Sequence, residues 1–120
     1  MRVSSAEELI MEALWRSAPR SAEDIVAEVA PAQDWSEATV KTLLNRLLSK
    51  GAIAADKDGR RYLYRPILAR EDYVAAESED LVGRLFNGSV SSLVMHFSER
   101  EKLSADDIAE LKRLIAELDQ

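Results

Sequence analysis

Thr39, Thr42, Arg46 and Ser49 recur at spacings of three and four residues, which on a helix gathers them onto one face. Three hydroxyls and a guanidinium, with nothing apolar among them, make a surface of hydrogen-bond donors and acceptors. Such a surface fits the major groove of a nucleic-acid duplex. An arginine binds guanine through two hydrogen bonds, and a threonine methyl touches a thymine methyl. Lys41, Asn45 and Lys50 flank the face at positions suited to phosphates. Arg46 is the leading candidate for a base contact, with a phosphate contact as its equal alternative. Further along, Lys57, Arg60 and Arg61 cluster around Asp58-Gly59, a basic tip suited to backbone or minor groove. The plainer reading is an amphipathic surface helix with a solvated polar side.

Charge distribution bears on that choice. The 120-residue chain has a net charge of −6, which alone argues against a polyanion partner. Residues 1–66, however, hold ten basic and ten acidic side chains, and residues 67–120 hold six basic and twelve acidic. The whole excess of negative charge therefore lies in the C-terminal part. Within residues 38–65 there are seven basic side chains (Lys41, Arg46, Lys50, Lys57, Arg60, Arg61, Arg65) against two acidic ones, Asp56 and Asp58. A local basic excess inside an acidic chain is the asymmetry of a focused polyanion-binding face.

The elements that must carry these residues read as follows. Ser5-x-x-Glu8 reads as a capping box, and Leu9, Ile10, Ala13 and Leu14 continue a first helix to about Ser17. Ser21 with Asp24 opens a second, carrying Ile25, Val26 and Val29 and closed by Pro31. Ser36 caps a third helix over 36–50, with Val40, Leu43, Leu44 and Leu47 on its apolar side and Gly51 at the C′ position. The period then changes. Ala52–Ala55, the turn signal Asp58-Gly59 and Arg61–Pro66 read as a hairpin, with Tyr62 and Tyr64 on one face. Three helices followed by two strands form a winged helix-turn-helix. The fold class is mainly α with a small β-hairpin, divided into a winged domain at 1–68 and a helical dimerisation domain at 69–120.

In the second domain Tyr73, Val74, Glu77, Leu81 and Leu85 mark a helix stopped by Asn87-Gly88. Ser89 opens another, and Ser104 with Asp107 opens a last one bearing Ile108, Leu111, Leu114, Ile115 and Leu118. The winged domain offers no spare apolar patch to receive these helices. Pairing two copies about a two-fold axis buries Leu81, Leu85, Leu93, Val94, Phe97, Leu111, Ile115 and Leu118 and predicts a homodimer. A two-fold protein sets two recognition helices on one duplex and reads an inverted repeat.

Other classes fare worse. One histidine and no cysteine preclude a Cys–His pair, and a Ser–His–Asp triad would have to use His96 on an apolar helix. Carboxylate pairs such as Glu7-Glu8 and Asp106-Asp107 fall in helix first turns, where capping explains them. No enzyme activity, metal or cofactor is expected, because His96 lacks the thiolate or imidazole company that zinc needs. No apolar run approaches the roughly 18 residues of a membrane span, and the N-terminus has no apolar signal core, so the reading is cytoplasmic. Two binding classes stay open beside DNA: a protein-binding scaffold, and a regulator with a ligand pocket at the dimer interface.

The run Trp35-Ser36-x-x-Thr39-Val40-Lys41-Thr42-Leu43-Leu44-x-Arg46-Leu47, then Lys50-Gly51, resembles the recognition helix of penicillinase repressors, the BlaI/MecI family. The similarity continues in Gly59-Arg60-x-Tyr62-x-Tyr64, Glu77-Ser78, Leu85-Phe86-x-Gly88-Ser89, Ser92-Leu93-Val94-x-x-Phe97 and Leu103-Ser104-x-x-Asp107-Ile108-x-x-Leu111. What the resemblance implies is a homodimeric repressor of β-lactamase or related stress genes, bound to double-stranded operator DNA with inverted TACA/TGTA half-sites. It implies contact roles for Thr39, Thr42 and Arg46, and inactivation through a membrane sensor-protease pathway. Antibiotic-responsive members are cleaved at an Asn-Phe bond, and the matching pair here is His96-Phe97. Where relatives often carry Pro-Lys after the capping serine, this chain has Glu37-Ala38. A copper-responsive branch senses metal through C-terminal cysteines, which this chain lacks.

Overall fold

A computed structural model describes all of residues 1–120. In order, the elements are α1 (Ser5–Arg16), β1 (Arg20–Ser21), α2 (Ala22–Gln33), α3 (Glu37–Lys50), β2 (Ile53–Asp58), β3 (Arg61–Pro66), α4 (Arg70–Leu85), α5 (Val90–Glu99) and α6 (Ala105–Leu118). They fall into two compact units, Met1–Val74 and Ala75–Gln120, the division lying within α4.

The first unit is a winged helix-turn-helix. Its core is built from Ile10, Met11, Ala13 and Leu14 of α1, Ile25, Val29 and Ala30 of α2, and Val40, Leu43, Leu44 and Leu47 of α3. Leu9, expected inside, points outward, and Met11 takes the buried place. The capping box of α1 also sits one residue earlier than the sequence reading. The Ser4 hydroxyl accepts from the Glu7 N–H at 3.1 Å, and Glu7 Oε1 accepts from the Ser4 N–H at 2.9 Å. Either serine fits the cap locally; seating Glu7 beneath Lys50 decides between them.

Pro31 does not close α2. The helix runs on to Gln33 and ends at Asp34, which adopts the left-handed conformation with φ 56°. A proline forfeits one hydrogen bond and crowds the carbonyl four residues back. Here that loss falls in the last turn, and the adjoining Val29 and Ala30 are held in the core. The turn to α3 is then only Asp34–Ser36, and the Ser36 hydroxyl caps α3 by accepting from the Thr39 N–H at 3.1 Å. Gly51, at φ 77°, ends α3 in a conformation that favours glycine.

The hairpin pairs Asp58 with Arg61, so its loop is Gly59-Arg60, one residue later than expected. Gly59 has φ 64°, a value that places the glycine at the first loop position. A two-residue strand, β1, joins the far edge of β3 and gives the order β1-β3-β2. Tyr64 packs against the core while Tyr62, nearer the tip, is exposed. Residues 68–73 are fastened to α1. The Trp15 Nε1–H donates to the Leu68 carbonyl at 2.9 Å, the Trp15 and Tyr73 rings lie 5.6 Å apart, and the Tyr73 hydroxyl donates to Glu8 at 3.1 Å.

The second unit is helical throughout. After α4 the chain turns through Asn87 and Gly88, both at positive φ, and the Gly88 N–H reaches back to the Val82 carbonyl at 3.0 Å. Ser89 caps α5, and Ser104 with Asp107 forms a complete capping box for α6. No residue of α4, α5 or α6 is buried.

Glu7 is the charged group most deeply enclosed in the first unit, only 2% exposed. Burial pushes its carboxyl up, but the Lys50 ammonium and the Ser4 N–H and hydroxyl outweigh that and hold it below 4.5. A depressed folded-state pKa contributes stability that is complete above the ordinary value and is lost as pH falls through the folded value. Glu7→Gln should therefore lower stability at neutral pH by about 2 kcal/mol, the scale of a hydrogen bond to a charged group. Urea titrations of both proteins should show the gap narrowing only below about pH 4.5. A gap unchanged down to pH 3 would contradict this assignment.

Candidate nucleic-acid interface

Burial of Val40, Leu43, Leu44 and Leu47 turns the opposite side of α3 outward. On that side Thr42, Asn45, Arg46, Ser49 and Lys50 line one shallow concavity of about 370 Å³. Thr39, in the first turn, shares its hydroxyl with Ser36 at 3.0 Å. The Thr42 hydroxyl donates to the Ala38 carbonyl at 2.9 Å, so what it offers outward is acceptor lone pairs and a methyl group. The outer face of α3 is thus less rich in free donors than the residue types suggest.

Ion pairing sorts the seven cations of residues 38–65 into two groups. Lys41 is paired with Glu37 at 3.0 Å, Lys50 with Glu7 at 2.6 Å, Arg61 with Asp58 at 3.3 Å and Arg65 with Asp56 at 2.8 Å. Arg46, Lys57 and Arg60 form no ion pair. Arg46 thus stands as the single unpaired cation of α3, with Lys57 and Arg60 on the wing. The exposed pairs of Lys41, Arg61 and Arg65 add little to folding. Lys50 is different: its ammonium also donates to the Arg2 carbonyl at 2.8 Å and clamps the end of α3 to the start of α1.

Two residues absent from the sequence-level site matter here. Glu37 holds Lys41 through an i,i+4 spacing that was readable in the chain. Glu7 holds Lys50 across 43 positions, which no local pattern reveals. The expected pair His96-Phe97 lies in α5, its two rings 5.4 Å apart edge to face, with both residues exposed.

The family model described as "Penicillinase repressor" matches residues 3–117. The chain belongs to that family. Among penicillinase repressors it is 32% identical to the Bacillus licheniformis protein over 116 residues, covering 97% of this chain and 91% of that one. It is 34% identical to the methicillin resistance regulatory protein MecI of Staphylococcus aureus (strain N315), covering 94% and 92% respectively. Two solved structures resemble the winged unit. The DNA-binding domain of the repressor BlaI superposes with a TM-score of 0.56 at 32% identity, covering 60% of this chain and 88% of that one. Monomeric Bacillus licheniformis BlaI in complex with the blaP half-operator gives 0.55 at 32% identity, covering 61% and 89%.

The pairing pattern separates two substitutions. Arg46→Ala removes no bond within the chain and should leave unfolding free energy within about 0.5 kcal/mol of the parent. Its cost should appear in duplex binding, about 1–3 kcal/mol, with reduced sequence preference. Lys50→Ala should do the reverse, stranding Glu7 and costing about 2 kcal/mol of stability. Urea titration beside fluorescence anisotropy reads both. A destabilised Arg46→Ala or a fully stable Lys50→Ala would contradict the sorting.

Proposed function

We propose that this protein is a homodimeric transcriptional repressor that binds palindromic operator DNA. In this reading α3 enters the major groove with Thr39, Thr42, Arg46 and Ser49. Asn45 and Lys41 flank it, and Lys57, Arg60 and Arg61 of the wing meet the backbone. Lys50 serves chiefly to hold α3 in place. The observation that carries the reading is the set of three unpaired cations on α3 and the wing of an otherwise acidic chain. Membership of a family whose relatives are named as repressors supports it, as does the likeness to BlaI bound to a half-operator. The names of two relatives, a penicillinase repressor and a methicillin resistance regulatory protein, support β-lactamase or related resistance genes as targets. No helix is long and apolar enough to cross a membrane, in keeping with action on DNA in the cytoplasm.

The second half of the proposal concerns the helical unit. Leu85, Ile115 and Leu118 are 63%, 58% and 83% exposed in a single chain, and Leu81 and Phe97 are also exposed. Leu93, Val94 and Leu111 are only half-buried. A chain that leaves this much apolar surface in water gains about 25 cal/mol for each Å² a second copy covers, partly offset by the entropy of association. Release of the repressor through a sensor-protease pathway belongs to the same proposal. Cleavage at His96-Phe97 would require α5 to open first, since the bond lies within a helix.

A fluorescence anisotropy titration against the TACA/TGTA palindrome and a scrambled duplex, repeated across salt concentrations, tests the DNA reading. Three free cations per subunit predict a log–log salt slope of about −5 for the dimer, with preference for the palindrome. Failure to bind either duplex would favour a protein-binding scaffold. For the dimer, Ile115→Asp replaces an exposed side chain, so its effect reports what covers that position. Sedimentation should show monomers, and palindrome affinity should fall at least a hundredfold. An intact dimer would sink the assignment of α6.

A further inference from the structure

Glu37, the first residue of α3, sets a carboxylate on the helix that the proposed function presents to a polyanion. Its Oε1 lies 3.0 Å from the Lys41 ammonium one turn on, and both side chains are more than half exposed. An exposed pair of this kind adds little to folding. Nor does α3 need Glu37 in order to start. Ser36 supplies the cap, and the residue three positions on, where a capping box would need an acid, is Thr39. The carboxylate's evident effect is on its neighbour. Glu37 is the main influence holding the Lys41 ammonium above its ordinary pKa, with Glu23 and Tyr64 contributing.

We infer that Glu37 is an affinity- and selectivity-determining residue. It occupies Lys41 and sets a negative charge towards the duplex backbone, so that phosphate contacts alone do not hold α3 on DNA. Binding then depends on the base contacts of the Thr42 and Arg46 face. This inference rests on the DNA-binding reading above and concerns how tightly, and how selectively, the same site works. The opposing charge acts on every duplex alike, because every duplex presents phosphates. It therefore weighs most where base contacts are missing.

Glu37→Gln keeps the shape of the side chain and removes its charge. Lys41 is then free to neutralise one phosphate per subunit. Each phosphate contact contributes about 0.9 to the salt slope, so the slope should steepen by about 2 for the dimer. Scrambled-duplex affinity at 0.1 M salt should rise about tenfold or more by the same relation. Lys41→Gln alone should weaken binding less than it does in the Glu37→Gln background, where it should cancel the gain. That non-additivity identifies a coupled pair. Circular dichroism confirms that α3 persists in each variant.

A Glu37→Gln protein with the parental slope and scrambled-duplex affinity overturns the inference. So does loss of palindrome binding alone, which would make Glu37 a base reader, for instance accepting from cytosine N4. If the unsubstituted protein binds no duplex, the DNA-binding reading itself falls and takes this one with it. That outcome is visible before any variant is compared.

Discussion

The rotation of α3 about its own axis is the constraint on which the site depends. Val40, Leu43, Leu44 and Leu47 must face α1 and α2, and helical geometry then leaves Thr42, Asn45, Arg46 and Ser49 no direction but outward. A rotation of even a third of a turn would expose leucines and bury a guanidinium. Rotation alone would leave α3 free to slide along its axis. The ammonium of Lys50, bonded to Glu7 and to the Arg2 carbonyl, pins its C-terminal end. The other carboxylate oxygen of Glu7, Oε2, is buried without a hydrogen-bond partner. A buried charge pair with one oxygen unserved is a poor source of net stability, so its value lies in registering two helices.

An acidic chain can bind a polyanion only if its charges are arranged rather than merely counted. Arg16 and Arg20 converge on Glu28, and Arg70 meets Glu12, so these cations are already matched inside the winged unit. Among the cationic side chains of the winged unit, only Arg46 on α3, Lys57 and Arg60 on the wing, and Arg2 form no ion pair. The surplus carboxylates sit in the second unit, where Asp80 holds Arg84 and Glu110 and Glu117 hold Arg113. Unpaired positive charge is thus concentrated on α3 and the wing by the pairing of most other cations.

Much of this was readable from residue pattern, and the failures have physical causes. The three helices, the change of period to a hairpin, the Gly51 and Asn87-Gly88 stops and the outer face of α3 all follow from local periodicity and turn chemistry. The α1 cap was misplaced by one because Ser4 and Ser5 are locally equivalent, and the choice is made by Lys50, far away in the chain. Pro31 misled because its cost is local while the burial of Val29 and Ala30 that overrides it is tertiary. The strand β1 escaped because two residues carry no period; it exists only as an edge to β3. At the site, types and faces were legible, but the state of each group was not. Thr42 has donated its hydrogen to Ala38, and Lys50 is held by Glu7.

The second unit has no interior of its own: none of its residues is buried, and Leu118, near its end, is almost fully exposed. In the proposed dimer, acquiring a stable fold and acquiring a partner become one event for this segment, and stability depends on protomer concentration. If the partner is a second copy, the supply of competent molecules below the dimerisation threshold grows as the square of the amount synthesised. Operator occupancy would then respond to a modest fall in synthesis as to a large one. A coreless helical arm would thereby make the repressor a sensitive gauge of its own abundance.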